Sequence, residues 1–403
     1  MLKFSSLRIF SRFTRYRLLI NLRRSHSRIG VLGVPFDKGQ LKGGVGSGPE
    51  AFRKLGLIEE LQHLGCDVKD FGDVVYEQID GLMVENMTAL GHIAACQKEV
   101  SDSVIHILNE GRMCLTIGGD HSCGIGTIDG HVKVKGNIAL LWVDAHADLN
   151  TNATSSTGNI HGMPVALLAK ELSDYWPYLP GMDWQQPRLS IRNIAYIGLR
   201  DIDSYERLVI DKFSITAFGM EDVERYGIIE VTNMALRRID PNNNLPLHVS
   251  FDIDSLDALE APSTGTPVRG GLTLREGIQI MEESYRTQRL SAVDLVEVNP
   301  RLGSPSDVRI TLEAAKHIIR AASGYSRRGH SPENVCDLPQ QTFPSVSTSA
   351  HNRAHLPLAA PKLWEIELIY IQELRKHEII DTLDFQIEEI TKTWKHIRGK
   401  GST

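Results

Sequence analysis

The sequence predicts a three-layer α/β/α fold: a central, mostly parallel sheet with helices on both faces and a metal site at the carboxyl ends of its strands. Two observations predict it. Short apolar runs at residues 28–35, 112–117, 138–141, 193–198, 247–251 and 292–296 are separated by helical or polar segments. Strands alternating with helices make a parallel sheet covered on both sides. Most of these runs also end in acids, histidines or amides, and ligands of such sheets bind at the strands' carboxyl ends.

Residues 28–35 form the expected first strand, and they run into a loop with Gly39, Gly43, Gly44, Gly46 and Gly48. The loop lacks the Lys-Ser/Thr end of a phosphate-binding loop, and its glycines do not fit a dinucleotide fingerprint. Residues 50–64 and 88–109 have helical periodicity. The run 112–117 leads into Gly-Gly-Asp-His-Ser (118–122), where two glycines let the chain turn sharply and present His121. The run 138–141 leads into Trp-Val-Asp-Ala-His-Ala-Asp-Leu-Asn (142–150). On extended chain, alternate residues share a side, so Asp144, His146 and Asp148 are expected to converge.

A polar loop (151–157) and Gly-Asn-Ile-His-Gly-Met-Pro (158–164) follow. Their hydroxyls and amides suit a small polar ligand, and His161 titrates in the range needed to relay protons. The run 193–198 precedes Leu-Arg-Asp-Ile-Asp (199–203) and Glu206. The run 247–251 ends in Asp252-Ile253-Asp254, with Thr264-Gly265-Thr266-Pro267 close behind. Finally, 292–296 ends in Glu297-Val298-Asn299-Pro300.

Carboxylates and imidazoles suit a hard or borderline divalent ion such as Mn²⁺. Asp144, Asp148, Asp252, Asp254, His121 and His146 are too many ligands for one ion unless some are shared. They fit two ions about 3.5–4 Å apart that activate a bridging water. A bridging hydroxide attacks planar centres such as a guanidinium, an amide or a phosphate ester. The remaining site residues are acids and amides rather than lysines and arginines, which points to a cationic substrate. Glu297 can hold a guanidinium in a two-hydrogen-bond fork.

Together with Gly-Val-Pro-Phe-x-Lys-Gly-Gln (33–40), Ser-Phe-Asp-Ile-Asp (250–254) and Gly-Leu-Arg-Asp-Ile-Asp (198–203), these motifs resemble those of the ureohydrolase family, arginases in particular. The resemblance covers roughly residues 29–325 and implies a binuclear Mn²⁺ hydrolase converting L-arginine to L-ornithine and urea. It implies that His121, Asp144, Asp148 and Asp252 bind one manganese, and Asp144, His146, Asp252 and Asp254 the other, with Asp144 and Asp252 bridging. It further implies that Asp148 orients the hydroxide, His161 shuttles protons and Glu297 holds the guanidinium. Asn150, the hydroxyl of Thr157 and Asn159 would read the α-carboxylate, and Asp203 with Glu206 the α-amino group. Thr266, with His146, would line the substrate site. A homotrimer with Arg275 and Glu276 at its interface is also implied. Thr157 stands where these enzymes carry serine, keeping the hydroxyl and adding a methyl. An agmatinase-like guanidino hydrolase is the nearest alternative, which Asn150, Asn159 and Asp203 argue against. A non-catalytic metal-bound scaffold is the alternative from another class.

Hydrophobic residues make up 41% of the 403 residues and charged residues 23%, ordinary for a soluble globular chain. A net charge of −6 gives no basis for a nucleic-acid partner, and no run reaches the length of a membrane span. Five scattered cysteines favour a reducing compartment. Residues 1–36 hold no Asp or Glu but many Arg and Ser, as in a mitochondrial transit peptide. The expected organisation is a transit peptide (1–28) directing the chain to the matrix, a catalytic domain (29–326), a flexible Pro-rich linker (327–362) and a helix (363–398). In the last of these, Ile380, Leu383, Ile387, Ile390, Trp394 and Ile397 form an a/d seam that suits packing on the catalytic domain, self-association or a partner.

Overall fold

A computed structural model describes residues 28–325 and residue 327. Most of the expected transit peptide, the linker and the C-terminal helix therefore lie outside the described residues. Arg28 opens the first strand, and the Arg327 guanidinium pairs with both oxygens of Glu282 at 2.9 Å.

Eight strands form one sheet: β1 (Arg28–Gly33), β2 (Asp67–Asp73), β3 (Met113–Ile117), β4 (Ala139–Val143), β5 (Ile194–Leu199), β6 (Thr216–Gly219), β7 (Leu247–Asp252) and β8 (Leu290–Val296). Their order is β2-β1-β3-β8-β7-β4-β5-β6, and every neighbouring pair is parallel. The sheet is thus wholly parallel, where a mostly parallel one is expected from sequence. The interior strands β4, β5 and β7 are buried along their whole length. The edge strands β2 and β6 are partly exposed and polar or short, which is why no apolar run announces them.

The helices are α1 (Gly48–Lys54), α2 (Leu57–His63), α3 (Leu90–Asn109), α4 (Cys123–Lys135), α5 (Pro164–Leu168), α6 (Ser204–Phe213), α7 (Met220–Tyr226), α8 (Ile228–Ile239), α9 (Leu274–Arg286) and α10 (Pro305–Ala322). The helical pattern at 50–64 is two helices, split by Gly56 in a left-handed conformation (φ 75°). Each strand serves two cores because its side chains alternate. On β4, Ala139, Leu141 and Val143 pack in the core shared by α1, α2, α8, α9 and α10. Leu140 and Trp142 pack on the opposite face with α4, α5 and α6.

Helix α4 is invisible to periodicity because it carries Gly124, Gly126 and Gly130, poor helix formers. A Cβ at Gly126 would sit 2.5 Å from the carbonyl of Gln97, and one at Gly130 2.6 Å from that of Ser101, both on α3. The missing side chains let the two helices pack backbone to backbone. Among the described residues, no helix is long and apolar enough to cross a membrane.

Candidate metal centre and substrate cleft

The three strand ends predicted to carry ligands meet in space. His121 follows β3, Asp144, His146 and Asp148 follow β4, and Asp252 and Asp254 close β7. His121 Nδ1 lies 3.0 Å from Asp144, 3.1 Å from Asp252 and 3.3 Å from Asp148. His146 Nδ1 lies 3.3 Å from both Asp144 and Asp254. Two potential ligand groups result, His121-Asp144-Asp252 and Asp144-His146-Asp254, with Asp144 common to both.

The alternation argument for Asp144, His146 and Asp148 needs correction. Strand β4 ends at Val143, so the three residues lie on a bent loop rather than on extended chain. Asp148 adopts a left-handed conformation (φ 53°). Aspartate tolerates this geometry better than most residues, and the turn, not the strand pleat, brings its carboxylate back to His121.

The donors fit a cation. His121 is buried, and its Nδ1 makes no hydrogen bond despite three carboxylates within 3.3 Å. Its ring stacks on Trp142 (centroids 3.9 Å apart, planes 9° from parallel), and the Trp142 indole donates to Asp144 at 3.0 Å. Burial, then the charge of neighbouring acids, holds Asp148, Asp252 and Asp254 above the usual carboxylate range. Burial acts against charge on His121 and His146 too, but the surrounding carboxylates overcome it and hold both imidazoles above their usual range. Buried carboxylates therefore crowd one another around the two imidazoles. A divalent cation would offset the same repulsion with oxygen and imidazole donors it prefers.

Glu297, expected to hold a guanidinium, is buried and held on three sides. One carboxylate oxygen accepts from the His121 backbone N–H at 2.9 Å and faces His161 Nδ1 at 3.1 Å. The other accepts from the Gln40 amide at 2.6 Å. Burial opposes ionisation of Glu297, but these partners keep its pKa below the usual value. Glu297 in turn outweighs the burial of His161 and pushes that imidazole up to about 9. Thr266 donates to Asp254 at 2.9 Å, placing its hydroxyl beside the second ligand group.

The other expected substrate contacts form a group beginning two residues past Asp148. The Asn150 amide donates to Asp203 at 2.7 Å. Asp203 caps α6, and Glu206 completes the capping box. Glu206 spends both oxygens on backbone N–H groups, those of Leu149 (3.2 Å) and Asp203 (3.0 Å). Burial pushes it up to about 7. The exposed Thr157 hydroxyl accepts from the Asn159 N–H at 3.2 Å. Arg275 and Glu276 lie in the first turn of α9, where Glu276 closes a capping box with Thr273 and Arg275 is exposed.

Four supporting residues escaped sequence reasoning. Gln40 closes the glycine-rich loop onto Glu297. Asp120 anchors that loop by accepting from Gly39 N–H at 2.8 Å, while His161 N–H donates to the Gly39 carbonyl at 3.1 Å. Arg200 gathers the carbonyls of Gly198, Asp254, Ser255, Leu256 and Val268, tying the Asp254 turn to its neighbours. Asp294, an acid inside an apolar strand, was the legible signal that a polar network crosses the core.

Residues 27–324 match the arginase family model. The chain is 44% identical to arginase-1 of Sus scrofa over 77% of its own length and 98% of that protein's. It is 42% identical to mitochondrial arginase-2 of Homo sapiens, covering 79% and 91% of the two chains. The crystal structure of Bacillus caldovelox arginase superposes with a TM-score of 0.68 at 33% identity, covering 75% of this chain and 99% of that one. The fold, the converging ligand groups and the match across 27–324 place the chain in the arginase family.

Proposed function

We propose that this chain hydrolyses L-arginine to L-ornithine and urea at a two-manganese centre in the mitochondrial matrix. A hydrolase acting on arginine follows from family membership. The observation that carries the finer reading is the shared carboxylate of Asp144 between two ligand groups, each with one imidazole. His121, Asp144, Asp148 and Asp252 would hold one Mn²⁺, and Asp144, His146, Asp252 and Asp254 the other.

When bound, such an ion pair supplies a water ionised near neutral pH. The protein does the rest. Asp148 orients the attacking oxygen by accepting its hydrogen. Glu297, kept ionised by its three partners, pairs with the guanidinium. His161 passes a proton between solvent and the reacting nitrogen, its Nδ1 steadied by Glu297. Thr266 and His146 line the guanidinium end. At the other end, Asn150, Thr157 and Asn159 read the α-carboxylate, and Asp203 meets the α-amino group. Glu206 supports this end by holding Leu149 and Asp203 in place.

The test is urea release by the full-length chain after Mn²⁺ incubation, with arginine and agmatine compared. Arginine is expected to be turned over and agmatine, lacking the carboxylate, to be a poor substrate. No urea from arginine by manganese-loaded protein would refute the reading; faster agmatine turnover would move it to the guanidino hydrolases.

The acid-free residues 1–36 and the similarity to mitochondrial arginase-2 support matrix targeting. A reporter fused to residues 1–36 should enter mitochondria, and a cytosolic reporter would count against this. A homotrimer with Arg275 and Glu276 at its interface, a linker at 327–362 and a helix at 363–398 complete the proposed organisation.

A further inference from the structure

Beneath the ligand-bearing strand ends, one row of polar residues crosses the sheet. Trp142 of β4 pairs in register with Ser250 of β7, Ser250 with Asp294 of β8, and Asp294 with Thr116 of β3. His121 stacks on Trp142 and lies with Nε2 2.9 Å from the Ser250 hydroxyl. Ser250 lies 3.2 Å from Asp294 Oδ2. The same oxygen takes Thr127 Oγ1 at 2.7 Å and His248 Nε2 at 2.9 Å. His248 Nδ1 lies 3.2 Å from His131 Nδ1, and His131 Nε2 lies 2.9 Å from the Ser291 hydroxyl. His121, Ser250, Asp294, His248 and His131 are at most 1% exposed.

An ionised carboxylate accepts only. Every donor in the row can then point toward Asp294: Ser291 to His131, His131 to His248, and His248, Thr127 and Ser250 to the carboxylate. Ser250 has one proton. Once that proton is committed to Asp294, the hydroxyl offers His121 only a lone pair, so His121 Nε2 must carry hydrogen. In the neutral ring, the form that can ligate, the remaining lone pair then lies on Nδ1, the atom facing Asp144, Asp148 and Asp252. Trp142 fixes the plane of the ring, and Ser250 fixes which nitrogen faces the cluster.

We propose that Asp294 is a positioning residue for the metal centre, acting through Ser250 to set His121 as the tautomer whose Nδ1 is free to ligate. This rests on the reading of His121 as a metal ligand. The outer partner of a ligating histidine typically changes metal affinity about 10- to 100-fold when removed.

The experiment is calorimetric titration of Mn²⁺ into the metal-stripped full-length chain and its variants Ser250→Ala, Asp294→Asn and the double variant. Metal-free thermal unfolding checks that each is folded. Ser250→Ala deletes one oxygen and should raise the Mn²⁺ Kd about 10- to 100-fold. Asp294→Asn should weaken binding with Ser250 present and add nothing with Ala at 250, because its route to His121 is already cut. Parent-like Mn²⁺ affinity in Ser250→Ala would overturn the proposal. So would an equal cost of Asp294→Asn in both backgrounds, which would mean that the charge acts through space or through general stability. A parent chain that binds no Mn²⁺ would overturn the metal reading along with it.

Discussion

Gln40 offers the sharpest test of how the substrate cleft is held. Its amide donates to Glu297 at 2.6 Å, with Gln40 8% and Glu297 1% exposed. Water therefore has little room to replace the amide after Gln40→Ala, and one oxygen of a buried carboxylate loses its hydrogen-bond donor among the described residues. A hydrogen bond to a charged group contributes about 1.5–3 kcal/mol, which corresponds to about a 10- to 150-fold loss in kcat/KM for arginine. Gln40→Glu is the harsher change. It sets a second carboxylate against Glu297, and two such groups in one buried site share a proton. Glu297 would then lose the charge that pairs with the guanidinium. The assay is steady-state urea release, with manganese content and unfolding midpoint measured on each variant. The expected order is parent, then Ala, then Glu, at equal manganese content. A loss under threefold in Gln40→Ala, or a Glu variant more active than the Ala variant, would refute the idea that Gln40 holds the guanidinium-reading carboxylate.

Other substitutions probe separate parts of the chain. His161→Ala should lower kcat by about 10²- to 10⁴-fold with manganese content unchanged, as expected for a proton relay, measured by initial rates and metal analysis. Thr157→Val should raise KM for arginine about tenfold or more while leaving residual agmatine turnover unaltered, since only arginine has the carboxylate that the hydroxyl would meet. Equal arginine KM values would remove Thr157 from the site. Asp252→Ala should lose metal and activity together if, as proposed, two ions share that ligand; inductively coupled plasma analysis beside urea release checks it. Gly119→Ala should destabilise the fold by about 3 kcal/mol in denaturant unfolding. Its new Cβ would fall 1.7 Å from the Phe36 carbonyl, at the base of the loop that carries Gln40.

The parallel α/β class and the candidate ligands were legible in the sequence for a local reason. A buried strand is a short apolar run, and in a parallel sheet the residues just past its carboxyl end lie where ligands bind. His121, Asp144, His146, Asp148, Asp252 and Asp254 all follow directly on such runs. The strand order was not legible, nor the two edge strands, since β2 and β6 lie partly in solvent and need no apolar run. Helix α4 was hidden by glycines whose purpose is contact with α3. The sharing of Asp144 and the left-handed turn at Asp148 depend on where the β3 and β7 ends lie relative to β4. Gln40 meets Glu297, 257 residues away, and Ser250 meets Asp294, 44 residues away. Sequence patterns record what each segment must bury, a property of neighbours along the chain. Which buried polar group satisfies which other is decided by strand order and register, and those are set only when the whole sheet closes its hydrogen bonds.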